Sequence, residues 1–101
     1  MRHQKRKFTL DRDAAGRTAL IRSLATNLIE RGAIQTTPAR AKAVQQFIEP
    51  LVTVARTGKT VTTHRHIIAR LGGNRKATTL LLTRVAPLVL DRAGGYTRRI
   101  K

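Results

Sequence analysis

The chain has 101 residues, with 21 Lys plus Arg against 5 Asp plus Glu, and a formal net charge of +16. A length of this order implies one domain, and 26 Leu, Ile, Val and Phe residues exceed the roughly 20% floor for foldable chains. The absence of Cys excludes disulfides, zinc fingers and thiol catalysis, no apolar run approaches the roughly 18 residues of a membrane helix, and residues 1–7 lack a secretory apolar stretch.

Residues 1–12 read as a basic arm, with Arg2, Lys5, Arg6, Lys7 and Arg12 against Asp11. Alone in water such an arm is expected to be disordered, because like charges repel and there is little to bury. The remainder, 13–101, reads as a single domain. A first helix is predicted from the N-cap Asp13 to just before Gly32, with Leu20, Ile21, Leu24 and Leu28 on one face. Residues 33–37, with Ile34 and Thr36 alternating, read as a strand.

Thr37-Pro38 is a helix-start signal, because Thr caps and Pro at the first helical position loses no needed hydrogen bond. The second helix is predicted to run to about Arg56 with Val44, Ile48, Leu51 and Ala55 inward and Phe47 beside them. Pro50 lies within it, and the apolar stripe continues in phase past it, so one bent helix is expected. A third helix is predicted over 60–72, with Val61, Ile67, Ile68 and Leu71. Asn74 caps a fourth, which runs to about Arg92 with a wide apolar face (Leu80, Leu81, Leu82, Val85, Leu88, Val89) and is expected to be the most buried. Pro87 is a candidate bend. Residues 96–101 alternate as a second strand. The expected fold class is therefore α/β (α+β): a helix-rich domain of about four helices with a two-stranded sheet and a basic N-terminal arm.

A protein this basic needs a polyanion, with nucleic acid the first candidate. Arg outnumbers Lys, 15 to 6, and guanidinium grips phosphate through paired N–H donors. Phe8, Phe47 and Tyr96 are the only aromatics. They are too few for recognition by base stacking, so contacts to backbone and shape are expected. Between Glu49 and Asp91 there is no acid, yet there are seven bases: Arg56, Lys59, Arg65, Arg70, Arg75, Lys76 and Arg84. Arg22 lies off the first helix's apolar stripe, where phosphate contact competes with simple solvation. Gly94-Gly95 is flanked by Arg92, Tyr96, Arg98 and Arg99. This permissive backbone could let a phosphate approach closely, or could simply end a helix.

Catalytic and metal chemistry find little purchase. His64 and His66 stand two apart, on different sides of a helix, and Asp11 and Asp13 sit where helix caps are commonplace. No catalytic residue, metal site or cofactor is assigned.

The residues also match a known pattern. Met1-Arg2-His3, Leu10-Asp11-Arg12, Arg17 with Ala19, and Arg22-Ser23-Leu24-Ala25-Thr26-Asn27-Leu28-Ile29 come first. Ile34-Gln35-Thr36-Thr37, Arg40-Ala41-Lys42, Glu49-Pro50-Leu51-Val52-Thr53 and Arg92-Ala93-Gly94-Gly95-Tyr96-Thr97-Arg98 follow. Each piece alone is weak; in this order, over essentially the whole chain, the set resembles the bacterial large-subunit ribosomal protein family numbered seventeen. The resemblance implies a non-enzymatic, cytoplasmic component of the ribosome, monomeric there and away from membranes. It implies an α/β domain packed on large-subunit ribosomal RNA near the nascent-peptide exit tunnel. Neighbouring proteins, including the family numbered thirty-two, are the implied partners. Carried over by position, the RNA contacts are Arg2, His3, Lys5, Arg6, Arg12, Arg17, Arg22, Arg40, Lys42, Arg92 and Arg98. The arm and the glycine turn add Lys7, Tyr96 and Arg99.

The chain departs from that family at three places. Gly16 stands where a His is usual. Ala86-Pro87-Leu88 replaces the usual Gly-Pro-Arg, so Leu88 is assigned no contact. The family usually continues beyond Lys101 into a further strand, so the sheet is expected to have two strands or to be completed by a partner. From charge alone, a DNA-packaging protein is the runner-up and a membrane-active basic protein the third reading.

Overall fold

The computed structural model describes residues 14–58, 60–92 and 94–100. Four helices follow one another: α1 (Ala14–Arg31), α2 (Pro38–Ala55), α3 (Val61–Arg70) and α4 (Arg75–Leu80). The last runs on as a π turn (Leu81–Val85) and a 3-10 turn (Ala86–Val89).

The starts of three helices are built by the residues that the sequence offers for them. Thr37 Oγ1 accepts from Arg40 N–H at 3.3 Å, Thr60 Oγ1 from Thr63 N–H at 3.1 Å, and Asn74 Oδ1 from Ala77 N–H at 2.9 Å. Each satisfies a backbone donor that the first turn leaves without a partner. α2 is one helix with Pro50 inside it, as its stripe implies. The α3–α4 turn needs Gly72 and Gly73, which adopt φ of +70° and +86°, the left-handed region that a side chain disfavours. Their N–H groups close the end of α3 on Ala69 and Ile68 carbonyls. A Cβ on Gly72 would also stand 3.3 Å from the Arg22 side chain. The Asp13 cap and the 1–12 arm lie outside the described residues.

The core lies between α2 and the other helices. Ala25 and Ile29 come from α1, Val44, Ile48, Leu51, Val52 and Ala55 from α2, and Ile67 and Leu71 from α3 and its end. Ala77, Leu81, Leu82 and Ala86 close it from the last helical run. The predicted α2 stripe is buried throughout. On α1 the buried line falls on Ala25 and Ile29, with Ile21, Leu24 and Leu28 half-buried beside it. The last run is not the most buried: Leu88 is 76% exposed, and α2 supplies more buried positions. Its geometry explains this. Ala86 N–H bonds to Leu81 O, five residues back, and Pro87 has no N–H with which to resume the α pattern. The helix therefore changes pitch, and Leu88 rotates out of the face that Leu81 begins.

The expected α/β class is corrected to all-α: among the described residues there is no strand and no sheet. Residues 33–37 are an unpaired extended linker between α1 and α2. Residues 95–100 are also without backbone pairing, because a side chain occupies the donors that a strand partner would take. Tyr96 and Thr97 N–H both donate to the Glu49 carboxylate. Alternation of side chains signals an extended backbone, which is necessary for a strand but does not supply its neighbour.

Leu51, Ile67 and Leu81 are the largest apolar side chains that are fully buried. Replacing any of them with Ala is expected to lower the unfolding free energy by about 2–5 kcal/mol, measured by urea titration at high salt. Leu88→Ala, at the surface, is expected to change it by less than about 0.5 kcal/mol.

Candidate nucleic-acid interface

Of the fourteen Lys and Arg residues described, six have partners within the chain, and most of those partners are carbonyl oxygens. Arg22 reaches from α1 to the end of α3, where Nε donates to Arg70 O at 3.1 Å. Arg84, on the π turn, donates through Nη2 to Ile29 O at 2.7 Å and Glu30 O at 2.8 Å, at the end of α1. Arg56 donates through Nη2 to Leu90 O at 2.8 Å, just past the 3-10 turn. Helix C-termini carry orphan carbonyls and partial negative charge, so a guanidinium there is favourable without any carboxylate. Arg92 reaches Gly95 O in its own turn at 3.4 Å, Arg70 lies over the Phe47 ring at 5.3 Å, and Arg17 has an interaction of its own.

The C-terminal segment is held against α2 by a clasp. Glu49 Oε1 accepts from Tyr96 N–H at 3.2 Å, and Oε2 accepts from Thr97 N–H at 2.9 Å and Thr97 Oγ1 at 2.6 Å. Gln45 Nε2 donates to the same Thr97 Oγ1 at 2.8 Å. Tyr96 Oη meets Thr53 Oγ1 at 3.1 Å and receives Arg56 Nη1 at 3.2 Å. Tyr96 is half-buried against the core. Arg98 and Arg99 follow the anchored Thr97 directly, and Lys42 lies one helical turn from Gln45. The clasp thus anchors the residue before Arg98 beside Gln45, one helical turn from Lys42, while Arg40 stands on another side of α2.

Eight described cations make no hydrogen bond, ion pair or ring contact through their side chains: Arg31, Arg40, Lys42, Arg65, Arg75, Lys76, Arg98 and Arg99. Four of them, Arg40, Lys42, Arg98 and Arg99, are among the sequence-predicted contacts. Arg17, Arg22, Arg92 and Tyr96, also predicted, have the intramolecular partners given above. Arg22 uses one of its five N–H donors on Arg70 O. Arg2, His3, Lys5, Arg6, Lys7 and Arg12 lie outside the described residues. Sequence reasoning missed the bridging roles of Arg56 and Arg84 and the clasp of Glu49. Their partners are 34 to 55 residues away, beyond any local periodicity. Among the described residues no group of three or more His, Asp or Glu side chains could hold a metal ion.

Among the described residues, this all-α body fixes some arginines on its own carbonyls and leaves a larger set without partners, a charge arrangement suited to a polyanion. Comparison with known proteins narrows the class. A family model described as Ribosomal protein L17 matches residues 20–101. The large ribosomal subunit protein bL17 of Gemmatimonas aurantiaca is 45% identical over 102 residues, spanning 100% of this chain and 84% of that protein. Those of Persephonella marina and Methylacidiphilum infernorum are 46% and 45% identical, each over 100% of this chain and over 81% and 76% of their own lengths. The chain belongs to the ribosomal protein L17 family, whose members are structural proteins, not enzymes.

Two substitutions separate the bridging groups from the unpartnered ones. Arg84→Met is expected to lower the unfolding free energy by about 1–2 kcal/mol through the loss of its carbonyl bonds. Arg99→Met is expected to leave it within about 0.5 kcal/mol. Denaturant titration reads both. Glu49→Ala is expected to abolish hydrogen-exchange protection of the Tyr96 and Thr97 amides while core amides such as Leu51 stay protected.

Proposed function

We propose that this chain is a structural constituent of the large ribosomal subunit that binds and cross-links ribosomal RNA through guanidinium and ammonium contacts to phosphate. It works in the cytoplasm, within the ribosome, in support of subunit assembly and translation. The reading places it near the nascent-peptide exit tunnel, as one copy per subunit, beside neighbours that include the family numbered thirty-two. Family membership supports the ribosomal setting, and the resemblance in the sequence motifs supports the location.

The observation that carries the RNA reading is the set of eight cations without intramolecular partners in a chain of net charge +16. Self-repulsion of that size destabilises a free monomer, and a bound polyanion relieves it. Lys42, Arg98 and Arg99 form the first contact ridge, and Arg40 adds a contact from another side of α2. The helical core is the rigid mount, and the basic arm of residues 1–12 extends the grip with Arg2, His3, Lys5, Arg6, Lys7 and Arg12. Arg22 and Arg92 add the donors that their internal bonds leave over, and Arg17 and Tyr96 complete the contact set.

Neutralising roughly 6–10 phosphates releases as many counterions and makes affinity fall about 10³–10⁵-fold between 50 and 200 mM salt. Binding to deproteinised large-subunit ribosomal RNA across that range is expected to show such a slope, and the chain is expected to co-sediment with large subunits. A flat response, or recovery of the cellular protein apart from ribosomes and insensitive to nuclease, overturns the reading. Preference for duplex DNA over ribosomal RNA in competition would favour the DNA-packaging alternative.

A further inference from the structure

The hairpin of α3 and the last helical run carries a surface that the family resemblance leaves unassigned. On α3, Val61, His64 and Arg65 stand at i, i+3 and i+4 and share a face. On α4, Arg75 and Lys76 stand four and three residues before Thr79, and Leu82 and Thr83 come a turn later. Between these elements lies an open groove of about 430 Å³ lined by Val61, His64, Arg65, Thr79, Leu82 and Thr83.

The groove's chemistry is specific in two respects. Its floor is apolar, and Val61, which the helical pattern assigns to the core, is 67% exposed. Its rim is polar, with Thr60, Arg65, Thr79 and Thr83, and Arg75 and Lys76 stand one helical turn before Thr79. Among the described residues, Arg65, Arg75, Lys76 and Thr79 have no side-chain partner. Thr83 Oγ1 donates to Thr79 O at 2.7 Å, so its lone pairs remain available to a donor. No carboxylate occurs anywhere between Glu49 and Asp91, so nothing on this stretch balances the rim.

An apolar floor beside hydroxyls and guanidinium matches the parts of a nucleotide. The floor suits a ribose or base face, the hydroxyls suit the 2′-OH, and the cations suit the phosphates. An apolar protein segment would cover Val61 and Leu82 but would leave Arg65, Arg75 and Lys76 uncompensated. We propose that this groove is a second RNA-contact surface, which takes a phosphodiester strand along Arg65, Arg75 and Lys76 with a ribose or base edge over Val61 and Leu82. The inference rests on the ribosomal RNA reading above and extends it. With the α2 ridge, it gives one rigid body two grips and therefore a means of joining two RNA segments.

The test uses the full chain and deproteinised bacterial large-subunit ribosomal RNA. The double variant Arg65→Glu with Lys76→Glu removes side chains that bond to nothing in the protein, so its thermal midpoint is expected to stay near wild type. Its affinity near 150 mM salt is expected to fall about tenfold or more, with the log–log salt slope shallower by about two. Arg98→Glu with Arg99→Glu is the parallel variant of the first ridge. A photoreactive benzoylphenylalanine in place of Thr79, in reconstituted large subunits, is expected to cross-link to RNA. Wild-type affinity and slope in the Arg65/Lys76 variant, or a Thr79 photoadduct on protein and none on RNA, overturns the groove. If the Arg98/Arg99 variant still weakens binding, the broader reading stands without it. A flat salt response in the wild type removes both.

Discussion

The bond from an arginine to the carbonyl oxygens that end a neighbouring helix is what allows so one-sided a charge set to fold. Five acids cannot pair with 21 bases, so ordinary charge pairing is closed to most of the cations. Helix C-termini supply the missing negative potential. The backbone dipoles sum to about half a charge there, concentrated on carbonyls that the helix itself cannot satisfy. Arg84 closes α1, Arg22 closes α3, and Arg56 closes the run that ends at Leu90. Each closure comes from a different element, so the same bonds that satisfy helix ends also tie the helices to one another. Arg84 satisfies two such carbonyls, of Ile29 and Glu30, from the single nitrogen Nη2.

The division of labour among the arginines follows from that geometry. Three bridging guanidiniums sit where a helix ends within reach of another helix, and most of the cations left over sit on helix faces and on the tail, with Arg31 at the end of its own helix α1. Position within the fold, not residue type, separates a structural arginine from a binding one. Sequence composition cannot make this distinction, because the two kinds are chemically identical and interleaved: Arg65 has no partner, while Arg56 and Arg70 on either side of it have theirs.

What was legible in the chain was local. Thr37 and Asn74 cap because a short polar oxygen just before a helical run has an N–H within reach, and Thr60, read as part of the third helix, caps it for the same reason. The α2 stripe is buried because a helix packed on several sides must hide that face. The α1 stripe drifted because a pattern of large side chains draws the eye to Leu24 and Leu28, while the fully buried position is the small Ala25. The strands failed for a different reason: an extended run shows only that the backbone is straight, and its partner is decided elsewhere in the chain. For residues 96 and 97 that partner is a carboxylate on α2, one helix turn from Gln45, and neither separation nor periodicity announces it. Within the candidate interface, the sequence pointed to Arg40, Lys42, Arg98 and Arg99 as cations. Only the fold shows that the segment carrying the last two is anchored beside Gln45, one helical turn from Lys42.

Glu49 shows how an acid can organise a basic protein without quenching it. Its oxygens face two backbone N–H groups and a hydroxyl, all uncharged donors, so the clasp fixes the tail's path while neutralising none of the arginines beside it. A carboxylate paired instead with Arg98 or Arg99 would hold the same segment and mask the charge that the segment displays. Anchoring through the backbone leaves the next two residues with their guanidiniums unpartnered among the described residues. Preorganisation of this kind lowers the entropic cost of immobilising long side chains on a ligand. The cost that remains falls on the folded monomer as unbalanced repulsion among like charges.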